Sequence, residues 1–131
     1  MRGLTVITLP FPVSVNGLFA DGKTRRHKSQ RYCDWLIDAG YALNLQRPPK
    51  IKGQVILHYL LQEGIDNRRR DLGNYEKCVT DLLVSHGVIE ADDGRIVREI
   101  TLRWSRAGQG IQITIISVQE EDFVPRTSIA S

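Results

Sequence analysis

The sequence predicts an α+β fold. A single domain in the order β-α-β-α-β-β carries a mixed sheet with helices packed against it. Three observations support this. Two segments repeat apolar residues with the 3.6-residue period of a helix. Each follows a short apolar run of strand length. The chain then closes on two strand-like runs separated by the glycine-rich turn AGQG. At 131 residues there is room for one core, and the chain needs no metal or disulfide staple to fold.

Residues 4–9 (LTVITL) are short and β-branched, as a strand is, and Pro10 and Pro12 stop it. Residues 10–27 read as a long polar loop with turn signals at Asn16-Gly17 and Asp21-Gly22. Over residues 28–47, Tyr32, Trp35, Leu36, Ala39 and Leu43 share one helical face. Ser29 is placed to cap that helix, and Pro48-Pro49 end it. Gly40 weakens it by ~1 kcal/mol relative to alanine. Residues 54–61 (QVILHYLL) are almost continuously apolar, which suits a central strand covered on both faces. A second helix is expected over residues 71–86, beginning at Asp71 and burying Tyr75, Cys78, Val79, Leu82 and Leu83. Gly87 then supplies the left-handed residue after it, with Val88 and Ile89 just beyond. EADDG (90–94) is an acidic turn. Residues 95–104 alternate, with Ile96, Ile100, Leu102 and Trp104 on one face and Arg98 as the exception. AGQG (107–110) reads as a hairpin turn into a return strand over 111–118. The domain is expected to span 1–118, with 119–131 as a flexible tail.

Composition excludes several classes. The 41% apolar and 25% charged content is that of an ordinary globular protein, not of a disordered or collagen-like chain. No run approaches the roughly 18 apolar residues of a membrane span, and the N-terminus lacks the apolar region of a signal peptide. A cytoplasmic protein is expected, with Cys33 and Cys78 as buried free thiols. His58 is expected in the core, and His86 near a helix C-terminus where its charge suits the dipole. The net charge of +3 permits a polyanionic partner without requiring one.

Three groups could carry chemistry. RRRDLGNYEK (68–77) sets Arg68, Arg69 and Arg70 before Asp71. Arginine suits bidentate phosphate contact, although the same residues also read as a solvated loop and a helix cap. Asp92 and Asp93 offer hard oxygen ligands for a cation such as Mg²⁺, and equally make an ordinary turn. Lys23, Arg25, Arg26, Lys28 and Arg31, with His27 among them, form a basic stretch fit to track a phosphate backbone, or simply an exposed loop.

Three motifs resemble the RusA family of Holliday junction resolvases, crossover junction endodeoxyribonucleases of phages and prophages. LPFPVSVNGLF (9–19) is similar to the family's proline-and-asparagine strand exit, in which Asn16 lies. RRRDLGNYEK is similar to its basic run followed by D-x-D-N-x-x-K. GVIEADDGRIV (87–97) is similar to its G-x-x-x-DD-x-[QR]-[VI] segment. The likeness covers about residues 4–118, in the same order of elements. It implies Mg²⁺, with Mn²⁺ as an alternative, held by carboxylates so that the metal activates a water for hydrolysis of a DNA phosphodiester. Asp71 matches the first aspartate of D-x-D, and Asn74 and Lys77 match the Asn and Lys that follow. Asp93 matches the second aspartate of the DD pair, with Asp92 as the alternative ligand. Asp71, Asp93 and Lys77 would then be catalytic, Lys77 by stabilising charge on the phosphate or leaving oxygen. Arg68, Arg69, Arg70, Asn74, Lys23, Arg25, Arg26, Lys28 and Asn16 would contact DNA, reading junction shape through the backbone. A homodimer is implied, since a four-way junction has two-fold symmetry.

One position departs from the pattern. Gly73 stands where the second aspartate of D-x-D is expected. A lost carboxylate removes ligand charge from a metal site. Glu76 lies three residues on, but its longer side chain would misplace a metal. The resemblance therefore implies a junction resolvase acting in recombination and repair, whose cleavage Gly73 puts in question. The alternatives are a catalytically inactive branched-DNA-binding protein of the same fold, and a basic nucleic-acid-binding module whose acids are only caps and turns.

Overall fold

The structure is a computed structural model that describes residues 3–22 and 25–118. Lys23 and the tail expected over 119–131 lie outside the described residues. The described residues form an α+β fold, with a four-stranded mixed sheet, a two-stranded ribbon and two α-helices. The strands are β1 (Leu4–Leu9), β2 (Phe19–Asp21), β3 (Arg26–Lys28), β4 (Val55–Gln62), β5 (Val97–Ser105) and β6 (Ile111–Ser117). The helices are α1 (Gln30–Gln46) and α2 (Lys77–Ser85).

The main sheet runs β1-β6-β4-β5. β6 is antiparallel to both neighbours, and β4 and β5 are parallel. β1, β4 and β5 therefore point the same way, and α1 and α2 sit in the connections that return the chain between them. This corrects the hairpin expected from AGQG. β5 and β6 do not pair, because β4 lies between them. The turn instead passes over the end of β4, where Gln62 N–H donates to Gly110 O at 2.9 Å and Gly110 N–H donates to the Gln62 side chain at 2.9 Å. Glycine is required at Gly110, where φ is +65° and an added Cβ would fall 2.1 Å from the Leu9 carbonyl oxygen. The physical reason for the swap is burial. Ile111, Ile113 and Ile115 are 0% exposed, whereas no residue of β5 is fully buried, so the more apolar strand takes the inner slot and β5 the edge.

Register sorts the sheet into two faces. Ile7, Ile113, Tyr59 and Leu102 form one row, and Leu9, Ile111, Leu61 and Trp104 the next. This is the face that carries the core, together with the apolar stripes of both helices. The expected stripes are buried, with Leu36 half-buried against the core. Among the described residues no helix packs on the opposite face. It aligns Leu4, Ile116 and Ile56, then Val6, Thr114, His58 and Thr101. β4 is thus central but covered on one face only, contrary to the reading of its apolar run. His58 is likewise not in the core: it lies on the open face, 3.5 Å from Glu99. Arg98 breaks the alternation of β5 because it is the extra residue of a bulge. Val97 pairs with Val55 and Glu99 with Ile56, leaving Arg98 unmatched in the register.

α1 begins where expected, with Ser29 Oγ accepting from Tyr32 N–H at 3.1 Å. α2 does not begin at Asp71. Residues 72–74 form a separate 3-10 turn, and the helix starts at Lys77. Gly73 and Asn74, poor helix formers, fall in that turn. Gly87 has φ +72°, as its place after α2 requires. Within the expected 10–27 loop, Val15–Gly17 make a 3-10 turn and β2 pairs with β3 as a small antiparallel ribbon. Among the described residues no helix is long and apolar enough to cross a membrane.

Candidate active site

The segments after β1 and β4 leave the sheet at the same end, since those strands run parallel. Side chains placed beyond the carboxyl ends of parallel strands are where open sheets with crossover helices form their clefts. Here residues 10–14 from one segment and Asp66, Arg68, Arg70 and Tyr75 from the other line a cleft of about 490 Å³, with Arg31, Trp35 and Asp38 of α1 on its wall. A second cleft of about 360 Å³ adjoins it. Ser14, Asn16, Gly17 and Arg31 face Arg68, Arg69, Arg70, Asp71, Asn74 and Tyr75 across it. Motifs far apart in the chain, 9–19 and 68–77, thus converge on one concave surface.

Aromatic packing fixes this surface. Tyr75 is 7% exposed and lies between Phe11, with centroids 5.2 Å apart, and Trp104, at 6.4 Å. That row anchors the 72–74 turn, and with it Asp71, to the sheet. Asp71 makes no side-chain capping bond and is exposed, so the reading of it as a helix cap is not what the fold uses. Asp66 organises the arginine segment. Its carboxylate accepts from Arg68 N–H at 2.8 Å and from two guanidinium nitrogens of Arg70, one of them at 2.8 Å. The Arg70 bond holds the Asp66 pKa well below the usual carboxylate range. Arg70 also stacks over Phe11, 5.8 Å from its centroid. Arg70 is therefore largely structural, whereas Arg68 and Arg69 are exposed at the cleft.

The acidic group is arranged differently. Lys77 Nζ lies 3.2 Å from Asp81 and 3.7 Å from Asp92. The hydrogen bond to Asp81 raises its pKa, so it is a firmly held ammonium at neutral pH. Asp93 accepts a two-pronged bond from Arg95 at 3.0 and 2.8 Å, which lowers its pKa to about 2. Its carboxylate also accepts from Arg95 N–H at 2.9 Å. Neither Asp92 nor Asp93 lines the cleft that holds Asp71. Glu76 is committed elsewhere: its carboxylate accepts from the Thr80 hydroxyl, which lies 2.7 Å from the buried Tyr59 hydroxyl. Burial raises the Tyr59 pKa well above its ordinary value, so the phenol stays protonated. Burial likewise pushes the Cys78 thiol up to about 12, which keeps it inert. Both cysteines are free, but only Cys78 is buried; Cys33 is half-buried, contrary to the expectation for it. At Gly73 an added Cβ would meet nothing within 4 Å and φ is not positive, so the missing side chain leaves open space.

Asp81 and Asp66 were not among the residues singled out from sequence. Asp81 was legible as an acid four residues after Lys77, the spacing of a helical ion pair. Asp66 carried no signal beyond that of a turn residue. Of the basic stretch, Arg31 reaches the cleft, and Arg25, Arg26 and Lys28 stand on the β2–β3 ribbon.

The family profile described as Endodeoxyribonuclease RusA matches residues 10–116. The chain belongs to the RusA family. That match covers the arginine cleft, the D-x-G-N-x-x-K segment and the acidic turn alike. RusA proteins are endonucleases that resolve Holliday junctions, and they are divalent-metal dependent. Among curated proteins none matches the chain. The carboxylates present do not fit a metal ion as they stand. Among the described residues no three acidic, His or Cys side chains gather to hold one. Asp93 is taken by Arg95, Asp92 lies beside Lys77, and position 73 has no donor.

Proposed function

We propose that this chain binds four-way DNA junctions as a homodimer, and that Gly73 leaves its own Mg²⁺-dependent nicking far weaker than a RusA endonuclease with aspartate there. The open space at Gly73 carries this reading, because no neighbouring group has moved in to replace the carboxylate. Glu76, the nearest acid in the helix direction, is bound to Thr80. The binding half rests on the arginine cleft. Arg68, Arg69 and Arg31 present charge to a phosphate backbone, and Asn16, Asn74 and Ser14 add hydrogen-bonding groups beside it. The ribbon with Arg25, Arg26 and Lys28 extends the track, and Lys23 belongs to the same stretch. Asp71, Asp92 or Asp93, and Lys77 are the residues a metal-dependent reaction would use. Since they do not fit a metal here, no catalytic step is assigned to them in this chain.

The homodimer reading has two supports. A junction presents two equivalent strands, which a two-fold dimer matches. The open sheet face leaves Leu4 and Val6 67% and 56% exposed beside Ile56, Leu60 and Ile116, an apolar surface suited to a second copy. Junction binding is tested by anisotropy with a labelled four-way junction and a linear duplex of equal length, across a salt series. The proposal expects the junction to bind at least about tenfold tighter, with affinity falling steeply as salt rises. Equal affinity for both DNAs would favour a general nucleic-acid-binding module instead.

A further inference from the structure

Phe19 opens the β2–β3 ribbon and is 44% exposed. An exposed phenyl ring on a basic ribbon needs a reason, because Arg25, Arg26, His27 and Lys28 of that ribbon are themselves exposed. Neighbouring side chains hold the ring in place. Tyr32 meets it edge-on at 6.1 Å and 74°, and Tyr32 in turn stacks on Trp35 at 6.5 Å and 28°. The Arg26 guanidinium lies 5.5 Å from the Phe19 centroid, and also 3.8 Å from Asp21 across the ribbon. The Lys28 ammonium lies 6.0 Å from the Tyr32 ring. With these contacts in place Phe19 keeps 44% of its surface exposed among the described residues.

The ribbon is also tied to the arginine cleft. Ser29 Oγ donates to Gly17 O at 2.6 Å, and Ser29 N–H donates to Leu18 O at 2.9 Å. Gly17 lines the cleft that holds Asp71 and Arg68. Phe19 therefore stands two residues from the cleft wall, on a backbone fixed to it. Aromatic rings beside a phosphate-tracking basic groove bind nucleic acids by stacking on unpaired bases, since every base has a π face. Bases stacked inside a continuous duplex are closed to such a ring, whereas a base flanking a branch point has a face that is freed where the arms unstack.

We propose that Phe19 is a stacking platform for an unstacked nucleobase at the branch point of DNA held in the arginine cleft. The inference rests on the junction-binding reading and supplies its selectivity: the arginines hold any backbone, and Phe19 engages only DNA with an accessible base. Phe19→Leu keeps an apolar side chain against Tyr32 but removes the π face. Phe19→Trp keeps the face and enlarges it.

The experiment compares the full chain with these two variants by anisotropy on a four-way junction and a linear duplex, after thermal melts confirm that each folds. The same proteins are mixed with a junction carrying 2-aminopurine at the branch point, whose fluorescence reports stacking. Phe19→Leu is expected to lose roughly 5- to 100-fold on the junction, the range of base–aromatic stacking, and less than about twofold on the duplex. Phe19→Trp restores junction affinity. The 2-aminopurine signal changes on binding the unaltered chain and not on binding Phe19→Leu. Unchanged junction affinity and signal in Phe19→Leu would overturn the inference, and so would equal losses on both DNAs. An unaltered chain that binds junction and duplex alike defeats the junction reading itself. Should Phe19→Leu fail to fold, a silent 2-aminopurine signal with the unaltered chain still overturns the proposal.

Discussion

The arginine cleft and the acidic turn come from the same family pattern, yet the fold treats them in opposite ways. At the cleft, Asp66 and Phe11 hold Arg70, and this bracing leaves Arg68, Arg69 and Arg31 facing open space. At the acidic turn the charges satisfy one another: Arg95 holds Asp93, and Lys77 lies between Asp81 and Asp92. The first region spends one ion pair to present several free charges. The second closes its charges into local pairs and lacks a side chain at Gly73. Surface ion pairs of this kind are weak and screened by solvent, so the closure is reversible rather than fixed. The contrast separates a binding surface that is already assembled from a catalytic group that is not.

Several changes break or sharpen that contrast. The largest effect is expected at the anchor the cleft depends on. Tyr75→Ala should cost about 3–5 kcal/mol in urea unfolding, as truncation of a buried aromatic does. Tyr75→Phe keeps the ring and should cost far less. A small loss in Tyr75→Ala would mean that the 72–74 turn is not held through the aromatic row.

Next comes the presented charge itself. Arg68→Ala with Arg69→Ala should lower junction affinity about 10- to 100-fold and flatten the salt dependence by about two phosphate contacts, read from a log–log salt series. The same substitution at Arg95 should leave affinity within about twofold, because its charge is spent on Asp93.

A smaller effect is expected inside the fold. Tyr59→Phe removes the buried bond to Thr80 and should cost about 1–2 kcal/mol in urea unfolding. Junction affinity should not change, since neither group faces the cleft.

The smallest effect is a pH dependence. The folded pKa of Asp66 is depressed, so its pairing contributes above the ordinary carboxylate pKa of about 4 and is lost as pH falls through the lower folded value. Junction affinity should therefore show no dependence on Asp66 ionisation between pH 5 and 8. Asp66→Asn should weaken binding modestly and equally across that range. A pH-dependent difference between the two proteins within it would show that Asp66 is not held as a carboxylate.

Much of this fold was legible in the sequence. The apolar stripes of α1 and α2, the cap at Ser29 and the left-handed Gly87 follow from local periodicity and local backbone chemistry, which short windows record. The strand order did not follow, because pairing is a long-range competition. AGQG carries every local mark of a hairpin, and it is the pairing of β4 with both β5 and β6 that separates them. The 71–86 segment misled for a related reason. Its apolar spacing continues through Tyr75, while Gly73 and Asn74 break the backbone pattern ahead of Lys77. At the site, residue types and motif spacing pointed to the arginines and to Asp71, and these do converge. The partners that decide which charges are free, Asp66 for Arg70 and Arg95 for Asp93, depend on loop geometry that spacing does not encode.

The most direct test of the central claim is a nicking assay on a synthetic four-way junction with Mg²⁺, comparing the chain with its Gly73→Asp variant, with junction affinity measured alongside. The open space at Gly73 lets the aspartate enter without displacing a neighbour. The account predicts nicking at least about 10²-fold faster in the aspartate form, the scale on which one charged group in a catalytic site acts, with affinity within about twofold. Paired nicks by the glycine form at a rate equal to that of the variant would contradict it.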